Sequence, residues 1–255
     1  MSAIEDPDLE RRWFPICNRD DLQAMHIVET DLLGRELAVW RGSGGGVNVW
    51  ANRCPHRGMR LTVGAIVAGE LRCAYHGYRY AEGSGMCTSV PAQPGRVPPR
   101  SLCVSTYPVF EAGNLVWTRL LSDESADAAP PLIAGDSTPL YGLAVKSRAN
   151  DVAALLARYR FRPSAALADP QAEDELCATR QIDAYSFHSV ARKGSLTSEV
   201  RFFLQPVDAQ CTVVHGILCG EIAAQLKIPA LRHHTQQLTR LRDACERRAR
   251  DGRES

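Results

Sequence analysis

No uninterrupted apolar run in these 255 residues approaches the roughly 20 needed to span a bilayer. The pattern of a secretory leader is also missing. The first residues, MSAIEDPDLERRW, are acidic and polar where a signal peptide is basic and then apolar. Charge of one sign is scarce: thirty basic residues meet twenty-nine acidic ones, for a formal net charge of +1. That balance excludes the strongly basic composition of a typical nucleic-acid binder. An even set of cysteines is lacking too. Nine are present (Cys17, Cys54, Cys73, Cys87, Cys103, Cys177, Cys211, Cys219 and Cys245), and an odd number without an export signal argues against a disulfide framework. Neither a flavin nor a nicotinamide fingerprint is visible. The one glycine-rich run, Gly42-Ser43-Gly44-Gly45-Gly46, lacks the Gly-x-Gly-x-x-Gly spacing and reads as a hairpin turn. Together these absences predict a cytoplasmic chain that engages neither membrane nor nucleic acid and takes any reducing power from a separate protein.

What is there is an ordinary folding composition, 45% apolar, punctuated for strands. Residues 12–120 contain short stretches rich in Val, Leu, Trp and Tyr: Glu36–Trp40, Val47–Trp50, Leu71–Ala74, Cys103–Val109 and Asn114–Thr118. Gly, Pro, Asn and Ser separate them as turns would. From 121 to 140 the composition shifts to Asp, Ser, Ala and Pro, which predicts a linker. Asn150 or Asp151 is then expected to cap a short helix carrying Val152, Leu155, Leu156 and Tyr159 on one face. After a polar stretch at Pro163–Glu175, an antiparallel meander is predicted over Leu176–Arg192, Ser195–Val207 and Cys211–Gly220, with a turn at Lys193-Gly194. Leu231, Leu238, Leu241 and Cys245 form one apolar stripe of a C-terminal helix. Its arginines read as a solvated face, and the adjacent His233 and His234 as surface residues.

The chemistry concentrates in two short segments, Cys54-Pro55-His56-Arg57-Gly58 and Cys73-Ala74-Tyr75-His76-Gly77-Tyr78. The spacing is C-x-H, sixteen residues, then C-x-x-H. Each segment follows a strand-like stretch and contains a Gly where the backbone must turn sharply. Two tight loops can therefore each present one thiolate and one imidazole to a common point. Structural zinc normally pairs C-x₂₋₄-C with H-x₃₋₅-H, so that each loop supplies one ligand type. Mixed loops suit instead a dinuclear cluster in which one iron takes two thiolates and the other two imidazoles.

On these residues the chain resembles the Rieske [2Fe–2S] domain, in particular that of Rieske non-haem iron oxygenases. The resemblance covers residues 10–120 and includes Leu33–Trp40, Asn52, Pro91–Pro99 and Gly113-Asn114-Leu115-Val116-Trp117. It implies that Cys54 and Cys73 hold one iron of a Rieske-type cluster and that His56 and His76 hold the other. The implied fold is a β-sandwich domain with the cluster at the tip of a smaller loop subdomain. A shortened α+β domain of truncated helix-grip type, ending in a helix, is expected over 141–255. Respiratory Rieske proteins carry an extra Cys in each cluster loop. Here Met59 and Tyr75 leave no spare thiol, which places the cluster with the oxygenase and ferredoxin group, at the lower end of the range of Rieske potentials. Titration of the imidazoles is expected to make that potential fall as pH rises. Where many oxygenase relatives have Trp after the second His-Gly, this chain has Tyr78.

A complete oxygenase subunit continues into a domain whose mononuclear iron sits in a 2-His-1-carboxylate triad. The resemblance implies ligands from an Asp-x₂-His-x₄-His-like helix and a later carboxylate. After residue 121 the only histidines are His188, His215, His233 and His234, and none stands in that pattern. His188 and His215 could still meet on neighbouring strands, with Glu221 or Asp208 adding a carboxylate. Three functions follow. The first is an electron-transfer component or accessory subunit, reduced by a separate NAD(P)H-dependent reductase or ferredoxin and passing electrons to an oxygenase subunit. The second is an oxygenase, hydroxylating or demethylating a small aromatic or related substrate, with an atypical or partner-supplied iron. The third is a non-catalytic, redox-sensing ligand-binding module.

Overall fold

The computed structural model describes residues 7–23, 25–121, 133, 135–161, 178–193 and 196–251. Two compact units are present, the first centred on Glu5–Glu111 and the second on Pro131–Ser255. The expectation of a mainly β chain, with an α+β second part closing on a helix, is met.

The first unit opens with a short helix, α1 (Pro7–Arg11), and continues through β1 (Phe14–Asn18), β2 (Ile27–Leu32), β3 (Arg35–Arg41) and β4 (Val47–Ala51). Four three-residue strands follow: β5 (Ala65–Val67), β6 (Glu70–Arg72), β7 (Arg79–Ala81) and β8 (Cys87–Ser89). It closes with β9 (Thr106–Tyr107), β10 (Val109–Ala112) and β11 (Leu115–Thr118). These make three sheets: β2-β3-β4-β9 and β5-β6-β7-β8, both antiparallel, and β1-β11-β10. Trp40 on β3 and Trp50 on β4 meet edge to face at 5.1 Å and anchor a core that continues through Leu61, Leu71 and Tyr80 to the thiols of Cys54 and Cys73. Gly42–Gly46 is the hairpin between β3 and β4, closed by Gly42 N donating to Gly46 O at 2.8 Å. It holds a carboxylate: Glu82 accepts from the Ser43 N–H and hydroxyl.

The second unit contains β12 (Ser137–Pro139), β13 (Leu143–Val145), helix α2 (Ala149–Leu156), β14 (Ala178–Asp183), β15 (Ser186–Lys193), β16 (Leu196–Asp208), β17 (Cys211–Cys219) and helix α3 (Ala224–Asp251). The strands form one sheet in the order β12-β17-β16-β15-β14, with β13 also paired to β17. One sheet face bears Phe187, Ala191, Val200, Phe202, Leu204, Val214 and Leu218, which pack in one apolar core with Val152, Ala153 and Leu156 of α2 and Leu238, Leu241 and Cys245 of α3.

Three expectations change here. The stretch read as one strand at Leu176–Arg192 is two, β14 and β15, because the Asp183 carboxylate accepts the Tyr185 N–H at 2.8 Å and turns the chain. Helix α2 starts after Arg148, which caps it with no side-chain bond, rather than after Asn150 or Asp151. The strand expected to run to Ala74 stops at Arg72, where the second cluster loop begins. Most of the expected linker, the stretch Pro163–Glu175, Gly194 and Cys177 lie outside the described residues. No helix among the described residues is long and apolar enough to cross a membrane.

Candidate metal centre

The two cluster loops are built alike. In the first, Cys54 N donates to Met59 O at 2.8 Å and Gly58 N to Cys54 O at 2.8 Å. In the second, Cys73 N donates to Tyr78 O at 2.9 Å and Gly77 N to Cys73 O at 3.1 Å. The offsets are identical, five residues and four. Each loop must turn through a left-handed residue just before its closing bond, and Gly58 (φ 72°) and Gly77 (φ 71°) supply it. A side chain at Gly77 would also meet Pro91 at 3.3 Å. Fully buried Asn52 braces the first loop from outside, donating to Thr62 Oγ1 at 3.0 Å and accepting from Thr62 N at 2.9 Å.

These loops bring the four predicted side chains together in an inner and an outer pair. The inner pair is Cys54 and Cys73, both buried in the core of the unit. Burial pushes the Cys73 thiol up, and the neighbouring Cys54 adds to the effect. The outer pair is half-buried His56 and exposed His76, whose Nδ1 atoms face each other at 3.2 Å. Their rings meet at 4.9 Å and 64°. Tyr78 stacks on His56 at 4.4 Å, and Tyr75 lies against His76 at 3.8 Å. The His56 imidazole is held below its usual value, through desolvation first and then its neighbours His76 and Arg57.

Sequence reasoning passed over Tyr80. It is fully buried on β7 and its hydroxyl lies 2.9 Å from Cys54 Sγ. The available signal was its alternation with half-buried neighbours on a strand leaving the second loop, but three residues are too few to show a period.

Two thiols set in the core and two imidazole nitrogens facing each other at the surface fit a 2Fe–2S cluster held two ligands to each iron. Such a site never gathers three protein ligands on one metal, and no group of three His, Cys, Asp or Glu converges on one point among the described residues.

The second unit's histidines do not assemble. β16 separates β15 from β17, so His188 and His215 are not on neighbouring strands. His188 pairs in register with Arg201 and lies 3.0 Å from Glu199; His215 Nε2 lies 2.6 Å from Gln205 Oε1 in the interior. Asp208 accepts from Gln210 N, and Glu221 is exposed. His234 corrects the sequence reading outright. It is buried, 1% exposed, with Nδ1 2.9 Å from the Tyr159 hydroxyl, because α3 presents it with Leu238 and Leu241 to the core. Desolvation lowers it to about 3, with His233 contributing, and burial lowers His215 to about 4.

Fold and donor set define an iron–sulfur redox domain. Residues 12–108 match the Rieske [2Fe-2S] domain, so the chain carries a Rieske domain with its 2Fe–2S cluster, and it is related to Rieske non-haem iron oxygenase subunits. Over 109 residues it is 50% identical to "Oxidoreductase NdmD" of Pseudomonas putida, covering 43% of this chain and 18% of that protein. Over 107 residues it is 37% identical to the oxygenase subunit of 3-chlorobenzoate-3,4-dioxygenase from Comamonas testosteroni, covering 41% and 24%. The chain thus spans about a quarter or less of the length of these two relatives. In fold it is similar to NdmB of Pseudomonas putida CBB5, with a TM-score of 0.77 at 20% identity over 94% of this chain and 83% of that one.

Proposed function

We propose that this protein is a cytoplasmic electron-transfer component of an oxygenase-type redox system, and that Cys54, His56, Cys73 and His76 hold its cluster. When bound, that cluster supplies reversible one-electron chemistry. The chain's own residues keep the thiol side dry within the core, turn the imidazole edges to solvent, and stack Tyr78 on His56 so that its ring stays aimed. A domain at 10–120, a linker at 121–140 and a shortened domain at 141–255 derived from an oxygenase catalytic domain complete the reading. Electrons would come from a separate NAD(P)H-dependent reductase or a ferredoxin and leave toward an oxygenase subunit.

The observation that carries this reading is the core-facing surface around α2. An Asp-x₂-His-x₄-His pattern needs three residues at i, i+3 and i+8 facing the interior. Among the residues buried there, Val152, Ala153, Leu156, Tyr159 and Phe161, only Ala153, Leu156 and Phe161 stand at that spacing. All three are apolar and packed in the core, so they offer no metal ligand. Likeness of the first unit to the oxygenase subunit of 3-chlorobenzoate-3,4-dioxygenase supports a second reading, an oxygenase whose iron is held atypically or by a partner subunit.

Reductive titration of the anaerobic holoprotein separates the two. One electron per chain is expected; two would support the oxygenase reading with its additional iron. The variant His76→Ala should lose the visible spectrum of the cluster, and survival of that spectrum would overturn the ligand set.

A further inference from the structure

The glycine run Gly42–Gly46 does more than close a hairpin. Its second residue, Ser43, is where the tips of three hairpins meet. From β5–β6 comes Gly69, where a side chain would stand 2.8 Å from Ser43 Oγ. From β7–β8 comes the half-buried Glu82, whose Oε2 accepts from Ser43 N at 3.1 Å and from Ser43 Oγ at 3.3 Å. A side chain at Gly42 would overlap the Glu82 carboxylate, so the seat is open only because that residue is glycine. One residue further, Gly83 N donates at 2.7 Å to Oδ1 of Asn48, a buried residue of β4. Among the described residues Glu82 forms no ion pair. Its place is set by shape and by hydrogen bonds from the hairpin, not by a cation.

Two residues before Glu82 stands Tyr80, whose hydroxyl lies 2.9 Å from Cys54 Sγ. The β7–β8 ladder is a poor reference for that ring. Each strand has three residues, and the pairing shifts register between Arg79, opposite Ser89, and Tyr80, opposite Cys87. The Glu82–Ser43 and Gly83–Asn48 bonds supply a better one, because they tie the end of β7 to the hairpin of β3 and β4. From Ala51, the last residue of β4, only two residues lead to Cys54. Both partners of the Tyr80–Cys54 contact are thereby referred to one hairpin.

We propose that Glu82 is a positioning residue for the cluster. Seated in the glycine hairpin, it holds β7 so that the Tyr80 hydroxyl stays on Cys54 Sγ, and it sets the cluster's potential from outside the ligand loops. The inference rests on the reading of Cys54 as a ligand and deepens it. Hydrogen bonds to the cluster sulfurs raise the potential, so a Tyr80 ring that leaves its place lowers it. The carboxylate's own charge acts in the opposite direction. Removing a negative charge near the cluster favours the reduced, more negative state and raises the potential. The sign of the change therefore separates positioning from simple electrostatics.

The test is the midpoint potential of the holoprotein in a spectroelectrochemical titration. Glu82→Ala should lower it toward the value of Tyr80→Phe. The visible spectrum should be retained, because Val104 N still donates to Gly85 O at 2.9 Å and keeps the turn attached. Glu82→Gln, whose amide oxygen can accept from Ser43, should leave the potential level or slightly raised. Gly42→Ala crowds the seat while keeping the charge, and should lower the potential as Glu82→Ala does. It also keeps the inference testable should Glu82→Ala fail to fold. In a Tyr80→Phe background neither alanine variant should lower the potential further. A potential that stays level or rises in the alanine variants, or one that falls equally without the Tyr80 hydroxyl, would overturn the inference. Failure of the ligand reading would show separately, as a visible spectrum that survives His76→Ala.

Discussion

At the scale of single residues, the site divides into what its motif dictates and what the fold adds. Cys54, His56, Cys73 and His76 were legible because each pair is local: a turn of a few residues around Gly58 or Gly77 is enough to aim them. Tyr80 was not legible, because its role depends on β7 carrying its ring back under the first loop, a tertiary fact. Its hydroxyl is the one side-chain hydroxyl hydrogen-bonded to a ligand sulfur among the described residues. Hydrogen bonds to the sulfurs stabilise the reduced, more negative state and so raise the potential. A bond worth about 1 kcal/mol corresponds to roughly 40 mV for a one-electron couple. Tyr80→Phe should therefore lower the midpoint potential by about that amount in a spectroelectrochemical titration and leave the cluster bound. A potential that stays the same or rises would show that the hydroxyl does not donate to Cys54.

At the scale of elements, β3, β4, the second unit's meander and the C-terminal stripe could be read from pattern, whereas β5, β7 and β8 were missed because three residues cannot display a period, and β1 and β2 were missed although they are longer. The separation of His188 from His215 by β16 follows from the predicted meander itself, whose middle strand lies between theirs. The burial of His234 was hidden: two adjacent helical histidines look alike in sequence, and only packing of α3 on α2 decides which one turns inward. That decision has a pH signature. Unfolded, each histidine titrates near 6.5, but in the fold His234 stays neutral down to about 3 and His215 to about 4. Between those limits the unfolded chain binds more protons, so stability rises with pH. The contribution is complete above 6.5 and lost as pH falls toward 4 and then 3, by up to about 1.4 kcal/mol per pH unit for each histidine. Thermal midpoints should be level from neutral to mildly alkaline pH and fall on the acid side. His234→Gln, which keeps a partner for Tyr159, should make the acid limb shallower; an equally steep limb would contradict the assignment.

For the whole molecule, a Rieske unit that presents its imidazoles to solvent is joined to a second unit of oxygenase-like fold whose interior is apolar where a metal-binding helix would carry its ligands. The first unit was recognisable from two motifs. The second was read mainly from the histidine pattern missing after residue 121; on the proposed reading, Ala153, Leu156 and Phe161 close its core where ligands would otherwise stand. On that reading, a chain so built would pass electrons on and hold one iron site fewer than an oxygenase. The most direct test is iron and acid-labile sulfide per chain in protein loaded with excess ferrous iron and then freed of loosely held metal. Two irons and two sulfides are expected; a third tightly held iron would contradict the account.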